Sequence, residues 1–209
     1  MGQLDLFGPR RQAAPALPDA TLQLVPDFLE PGEADQLFAV LRDRIPWRQD
    51  QICMFGNRHD VPRLHQWFAD NGMSYTWSGI RMQAVPWIPE LVRLQERLAE
   101  STGHHFNTAL ANLYRDGRDT VGWHADDEPE LGTNPVIASV SLGATRDFRL
   151  RHKTRRDLAA HTIALTHGSL LLMSGATQTC WEHCVPRRQR VTEARINITF
   201  RAVTAATVS

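Results

Sequence analysis

His124, Ala125 and Asp126 set an imidazole and a carboxylate two residues apart. On a β-strand, residues i and i+2 project from the same face, so the two side chains would converge on one point. A second histidine would complete a set of two imidazoles and one carboxylate. Such a set binds a divalent transition metal and leaves coordination positions open. With nine histidines in the chain, the pair alone carries little weight, and a solvated surface histidine explains it equally well. His161, His167 and His183 are the candidates for the third ligand.

A second pattern lies near the C-terminus. Residues 195–201 alternate strictly, with Arg195, Asn197, Thr199 and Arg201 on one face and Ile196, Ile198 and Phe200 on the other. An ordinary antiparallel strand with one wet face would look the same. Two arginines with Asn and Thr between them are also what a dicarboxylate ligand needs, because arginine pairs with carboxylates through two parallel hydrogen bonds. Asn112 and Tyr114 repeat the i, i+2 spacing and could bond the same ligand.

These side chains need short strands to hold them. Strand-like runs occur at 106–114, 121–125, 136–142, 147–152, 161–165, 169–173, 181–185 and 190–203, with turn residues between them. That texture predicts a β-sandwich or jelly roll. A first strand is expected at 21–28. A helix is expected at 33–45, with Ala34, Leu37, Phe38 and Leu41 on one face. A second runs from Pro89 to Gly103, with Leu91, Leu94 and Leu98 inward. Residues 46–88 read as hairpins and surface loops rather than core. The expected fold class is mostly β with flanking helices (α+β).

The chain has 209 residues, enough for one domain, and its 42% hydrophobic and 22% charged residues are ordinary for a globular protein. No apolar run approaches membrane-span length and no signal peptide is recognisable, so a cytoplasmic monomer is expected. Cys53, Cys180 and Cys184 make no disulfide framework. Net charge is zero, so any nucleic-acid binding must use local patches. Candidates are Arg58-His59 with Arg63, the run Arg151 to Arg156, and Arg187-Arg188 with Arg190. Residues 8–20, rich in Pro, Ala and Arg, read as a flexible linker. The division is therefore a tail at 1–20 and one domain at 21–209.

Taken in order, Asn112-Leu-Tyr114, His124-Ala-Asp126-Asp-Glu128, Ser139-Val-Ser141-Leu-Gly143, Arg146-Asp-Phe148, His167-Gly-Ser-Leu170, His183 and Arg195-Ile-Asn-Ile-Thr-Phe-Arg201 resemble the AlkB family of Fe(II)- and 2-oxoglutarate-dependent dioxygenases. The likeness covers roughly residues 46–203. It implies a double-stranded β-helix core at 105–203 and a nucleotide-recognition lid at 46–88. It implies His124, Asp126 and His183 as the Fe(II) ligands, with His167 structural. It implies Asn112, Tyr114, Arg195, Asn197, Thr199 and Arg201 around 2-oxoglutarate, Arg195 on the far carboxylate. The implied activity is oxidative dealkylation of DNA bases, releasing succinate, CO₂ and aldehyde. An RNA demethylase or a protein-modifying oxygenase of the same fold is the alternative.

Met54-Phe55-Gly56-Asn57, with Pro62-Arg63, resembles the intercalating finger of the branch that prefers double-stranded DNA. Ser74-Tyr75-Thr-Trp77-Ser-Gly79 resembles its base-sandwiching segment. The likeness implies Phe55, Gly56, Asn57, Arg63, Tyr75, Trp77, Asp127 and Glu128 as substrate contacts, and Arg187 to Arg190 as a phosphate-contacting loop. Trp123 departs from the more polar residue expected before His124. Gln3-Leu-Asp-Leu-Phe7 resembles the short peptide by which bacterial DNA enzymes dock on the sliding clamp.

Overall fold

A computed structural model describes residues 15–54, 57–70, 75–77, 80–82 and 84–203. The chain opens with β1 (Thr21–Val25) and α1 (Pro31–Arg44). A hairpin of β2 (Gln51–Met54) and β3 (Asn57–Asp60) follows, then β4 (Leu64–Ala69), then a hairpin of β5 (Tyr75–Trp77) and β6 (Ile80–Met82). After α2 (Pro89–Thr102) come β7 (Thr108–Tyr114), β8 (Val121–His124), β9 (Ile137–Gly143) and β10 (Arg146–His152). The chain continues with β11 (His161–Leu165), β12 (Ser169–Ser174), a one-turn helix α3 (Thr177–Cys180), β13 (Trp181–Val185) and β14 (Arg195–Arg201).

The strands form two antiparallel sheets, ordered β1-β12-β9-β14-β7-β4 and β11-β10-β13-β8. From β7 onward the chain passes back and forth between the two sheets, which is the winding of a double-stranded β-helix. The expected jelly roll is what forms.

Side-chain alternation sorts the larger sheet into two faces. Ile196, Ile198 and Phe200 of β14 join Ala109, Ala111, Ala138 and Val140 in a core packed with Leu91, Leu94 and Leu98 of α2 and Ala34 and Leu41 of α1. The opposite face meets the smaller sheet over Tyr114, Ile137, Phe148, Leu150, Leu171 and Met173. Helix α2 starts at Pro89, whose missing N–H costs nothing in the first turn, and ends on Gly103 at φ 73, where a side chain would be strained.

Three expectations change. Residues 46–88 are not all surface: β4 pairs with β7 as an edge of the larger sheet, and His65, Gln66, Trp67, Phe68 and Ala69 are buried. Burial on both faces removed the alternation that would have marked it. The domain also begins before Thr21. Leu17 is buried in the inter-sheet core, and Trp181 Nε1 donates to the Pro18 carbonyl, so 15–20 pack on the fold. The first strand ends at Val25, because the chain then turns inward to bury Phe28 and Leu29 under α2, with Arg97 bonding the Phe28 carbonyl.

Candidate active site

Strands β8 and β13 are neighbours, and His124 lies directly across from His183. Their rings are 4.3 Å apart at 62°. Asp126 follows just beyond the end of β8. One donor atom each from His124, Asp126 and His183 lies within 4.8 Å of the others, a separation one metal ion can bridge. His161 sits on β11, and His167 Nδ1 accepts from the Gly143 amide, so neither belongs to this group.

The surroundings suit all three side chains to holding a metal. His124 Nδ1 lies 2.9 Å from the Gly122 carbonyl, which can only accept, so Nδ1 carries the proton and Nε2 is left to bind. Phe148 stacks on His183 at 4.9 Å. Burial holds the His183 imidazole neutral, with its pKa lowered to about 3. Burial alone would raise the Asp126 pKa, but Arg201, donating from Nη2 at 2.6 Å, reverses this and holds it at about 2. The Asp126 amide donates to Gln178 Oε1 at 2.9 Å, which fixes the loop from α3.

The His183 shift gives a pH prediction. Its folded pKa lies below the ordinary 6.5, so its contribution to stability is whole above pH 6.5 and is lost as pH falls toward about 3. The metal-free protein is expected to lose up to about 1.4 kcal/mol per pH unit in that window. Melting temperatures at pH 7 and pH 5 test this; a flat profile, or one that His183→Asn leaves unchanged, contradicts it.

Beside the metal ligands, a cavity is lined by Asn112, Tyr114, Ser139, Asn197, Thr199 and Arg201, among others. The seven residues of β14 are all buried, so its polar face is not wet. Asn197 Nδ2 donates to Ser139 Oγ at 2.8 Å, and Arg195 Nη2 to Ser141 Oγ at 2.9 Å. The Arg195 guanidinium lies 5.1 Å from the Tyr114 ring centre. Its Nε and Nη1 are buried without a hydrogen-bond partner. A buried cation with two unmet donors calls for an anion. Burial lowers its pKa to about 10, still well above neutrality.

A family model described as the 2OG-Fe(II) oxygenase superfamily matches residues 21–201. The chain belongs to that superfamily. Two relatives place it in the AlkB family. It is 43% identical over 192 residues to alpha-ketoglutarate-dependent dioxygenase alkB homolog 3 of Rattus norvegicus, covering 86% of this chain and 63% of that protein. It is 42% identical over 181 residues to DNA oxidative demethylase ALKBH2 of Mus musculus, covering 82% and 76%. The chain thus spans somewhat under two thirds of the length of the first of these. The solved structure of OsALKBH1 matches 92% of this chain at a TM-score of 0.59 and 17% identity, a likeness of fold. An oxygenase of this superfamily uses Fe(II) and 2-oxoglutarate. The neutral His183, the ionised Asp126, the free Nε2 of His124 and the buried guanidinium of Arg195 fit both.

Other sequence-predicted residues fall in different places. Arg63, expected at the DNA, is 6% exposed, and its Nε donates to Asn112 Oδ1 at 2.7 Å inside the cavity. Its Nη1 also lies 3.4 Å from the Thr120 carbonyl. Asp127 is exposed and held by Lys153, while Glu128 is half-buried. Phe55 and Gly56 lie outside the described residues, as do Gln3 to Phe7. Asn57, Tyr75 and Trp77 lie on the two hairpins, and their side chains are outside the description. Trp123 faces away from the metal ligands and lies under Arg151 at 4.4 Å and Arg149 at 5.9 Å. In the basic loop, Arg188 pairs with Asp147, and its amide donates to the Gly117 carbonyl.

Sequence reasoning missed Gln178 and, although it picked out Arg146 among the ordered motifs, gave it no role. Arg146 is 1% exposed and donates to the carbonyls of Asp116, Asp119 and Pro186. It ties the β7–β8 turn to the end of β13. No local spacing announces such a role, because its acceptors are backbone atoms far along the chain.

Proposed function

We propose that the protein removes alkyl groups oxidatively from N-alkylated DNA bases, of the 1-methyladenine and 3-methylcytosine kind. The observation that carries this is the group His124, Asp126 and His183, whose ligand atoms lie within 4.8 Å of one another in a cavity walled by the polar residues Asn197, Thr199 and Arg201 of β14. The names of the relatives, DNA oxidative demethylase among them, support DNA as the substrate.

When bound, Fe(II) with 2-oxoglutarate and O₂ supplies the oxidation that hydroxylates the alkyl carbon, giving succinate and CO₂. His124, Asp126 and His183 hold the metal. Arg195 would pair with the far carboxylate of 2-oxoglutarate as a fixed cation. Asn112, Tyr114, Asn197 and Thr199 orient its body, and Arg201 serves both its near end and Asp126. A base in a duplex must leave the stack to reach this site. Phe55, with Gly56 and Asn57, is assigned to fill the gap. Trp77 and the His124 ring are assigned to sandwich the extruded base, and Tyr75, Asp127 and Glu128 to read its edge.

The test is succinate release with one sequence offered as methylated single-stranded DNA, duplex DNA and RNA, each against its unmethylated control. Fe(II)-dependent release stimulated by methylated DNA, most of all duplex, is expected. Release indifferent to the lesion, or stimulated by RNA alone, contradicts the proposal.

Gln3 to Phe7 is proposed as a docking peptide for a bacterial sliding clamp, Leu6 and Phe7 filling an apolar pocket. Purified clamp is expected to retain the wild-type chain and not Leu6→Ala/Phe7→Ala. Equal retention rules the peptide out.

A further inference from the structure

Asp127 stands one residue beyond Asp126 of the metal group, and the proposed function assigns it to the edge of the entering base. A carboxylate there would attract a base that alkylation has made cationic. The structure does not leave that charge alone. Lys153 Nζ donates to Asp127 Oδ2 at 2.7 Å.

The lysine is held at both ends. Its backbone amide donates to the Cys180 carbonyl at 2.7 Å, and its Nζ also donates to the Gln178 carbonyl at 2.8 Å. Gln178 is buried, and its side-chain amide bridges Met173 Sδ and the Asp126 amide. The ammonium is therefore pinned to the same short helix that fixes the metal-ligand loop. Glu128, next in the chain, has no salt bridge among the described residues, and its buried Oε2 has no hydrogen-bond partner. Two neighbouring carboxylates thus differ: one is neutralised and one is not.

We infer that Lys153 is a specificity-determining residue that neutralises Asp127 and so sets how strongly the site prefers cationic over neutral alkylated bases. With Lys153 present, Asp127 acts as a hydrogen-bond acceptor in a pair of zero net charge. Glu128 carries the uncompensated negative charge. Loss of the ammonium would double that charge and favour cationic bases further. This rests on the proposed reading of alkylated bases.

The test compares 3-methylcytosine, a cation, with 3-methylthymine, which is neutral and methylated at the same ring position. Binding of matched oligonucleotides to the Fe(II)- and 2-oxoglutarate-loaded enzyme is measured without oxygen, so that nothing turns over. Because the Asp127 side chain is 55% exposed, solvent limits the effect. Lys153→Met is expected to raise the cation-to-neutral affinity ratio about fivefold, less at high salt. Asp127→Asn should lower it by a similar factor, and the double variant should return it toward wild type. Lys153→Arg, which keeps the charge, should keep the ratio. An unchanged ratio in Lys153→Met, or the same shift in Lys153→Arg, overturns the inference while base reading stands. A wild type that binds neither oligonucleotide above its unmethylated control overturns both.

Discussion

Asp126→Asn is expected to give a folded protein that releases no measurable succinate, with turnover down on the order of a thousandfold or more. In the proposed metal site the carboxylate is one of three ligands and the one that carries charge. An amide offers the metal a neutral and weaker oxygen. Asp126 is 3% exposed and accepts from Arg201 at 2.6 Å, so Asp126→Ala would also leave the buried guanidinium facing a void. That adds a folding cost of about 3–5 kcal/mol. The asparagine variant keeps the shape and one acceptor, and so separates ligation from folding. Wild-type protein should melt at higher temperature when Fe(II) is added, since a ligand that binds only the folded state stabilises it. The asparagine variant should show no such rise. Turnover retained in a folded Asp126→Asn protein would remove this carboxylate from the metal site.

The jelly roll and the group of His124, Asp126 and His183 were readable because their signals are local or ordered along the chain. Eight short runs bounded by turns predict a two-sheet fold, and β11 and β13 have the expected ends. The alternation of Arg195 to Arg201 was legible, but whether its polar face met water or a ligand was not. That depended on the smaller sheet, whose strands come from elsewhere in the sequence. Strand β4 was missed for the opposite reason: Leu-His-Gln-Trp-Phe-Ala is buried on both faces and shows no period of two. Arg63 was read from a neighbouring motif and placed at the DNA. Pairing of β4 with β7 instead carries it toward Asn112. Gln178 acts across 52 residues of sequence, and only the packed structure relates it to Asp126.

Arg195→Gln is expected to raise KM for 2-oxoglutarate about a hundredfold or more, with a smaller change in kcat. Two hydrogen bonds from a guanidinium to a carboxylate are each worth about 1.5–3 kcal/mol, and a neutral amide replaces neither in full. Arg195→Lys keeps the charge but not the paired donors or the flat contact with Tyr114, so its KM should fall between the two. Arg146 is the natural rival, since it too lies against the Tyr114 ring, at 5.5 Å. Its terminal nitrogens are already committed to three backbone carbonyls, so its loss should damage folding rather than KM. The sign of the stability change separates a ligand-holding cation from a structural one. Without 2-oxoglutarate, Arg195 is a buried charge whose Nε and Nη1 lack a hydrogen-bond partner, a costly arrangement that a bound carboxylate would relieve. Arg195→Met should therefore melt no lower, and even higher, than wild type when no ligand is present. It should also lose the stabilisation that 2-oxoglutarate gives the wild type. A methionine variant that melts lower without ligand but keeps its KM would make Arg195 part of the scaffold, and would place the far carboxylate elsewhere in the cavity.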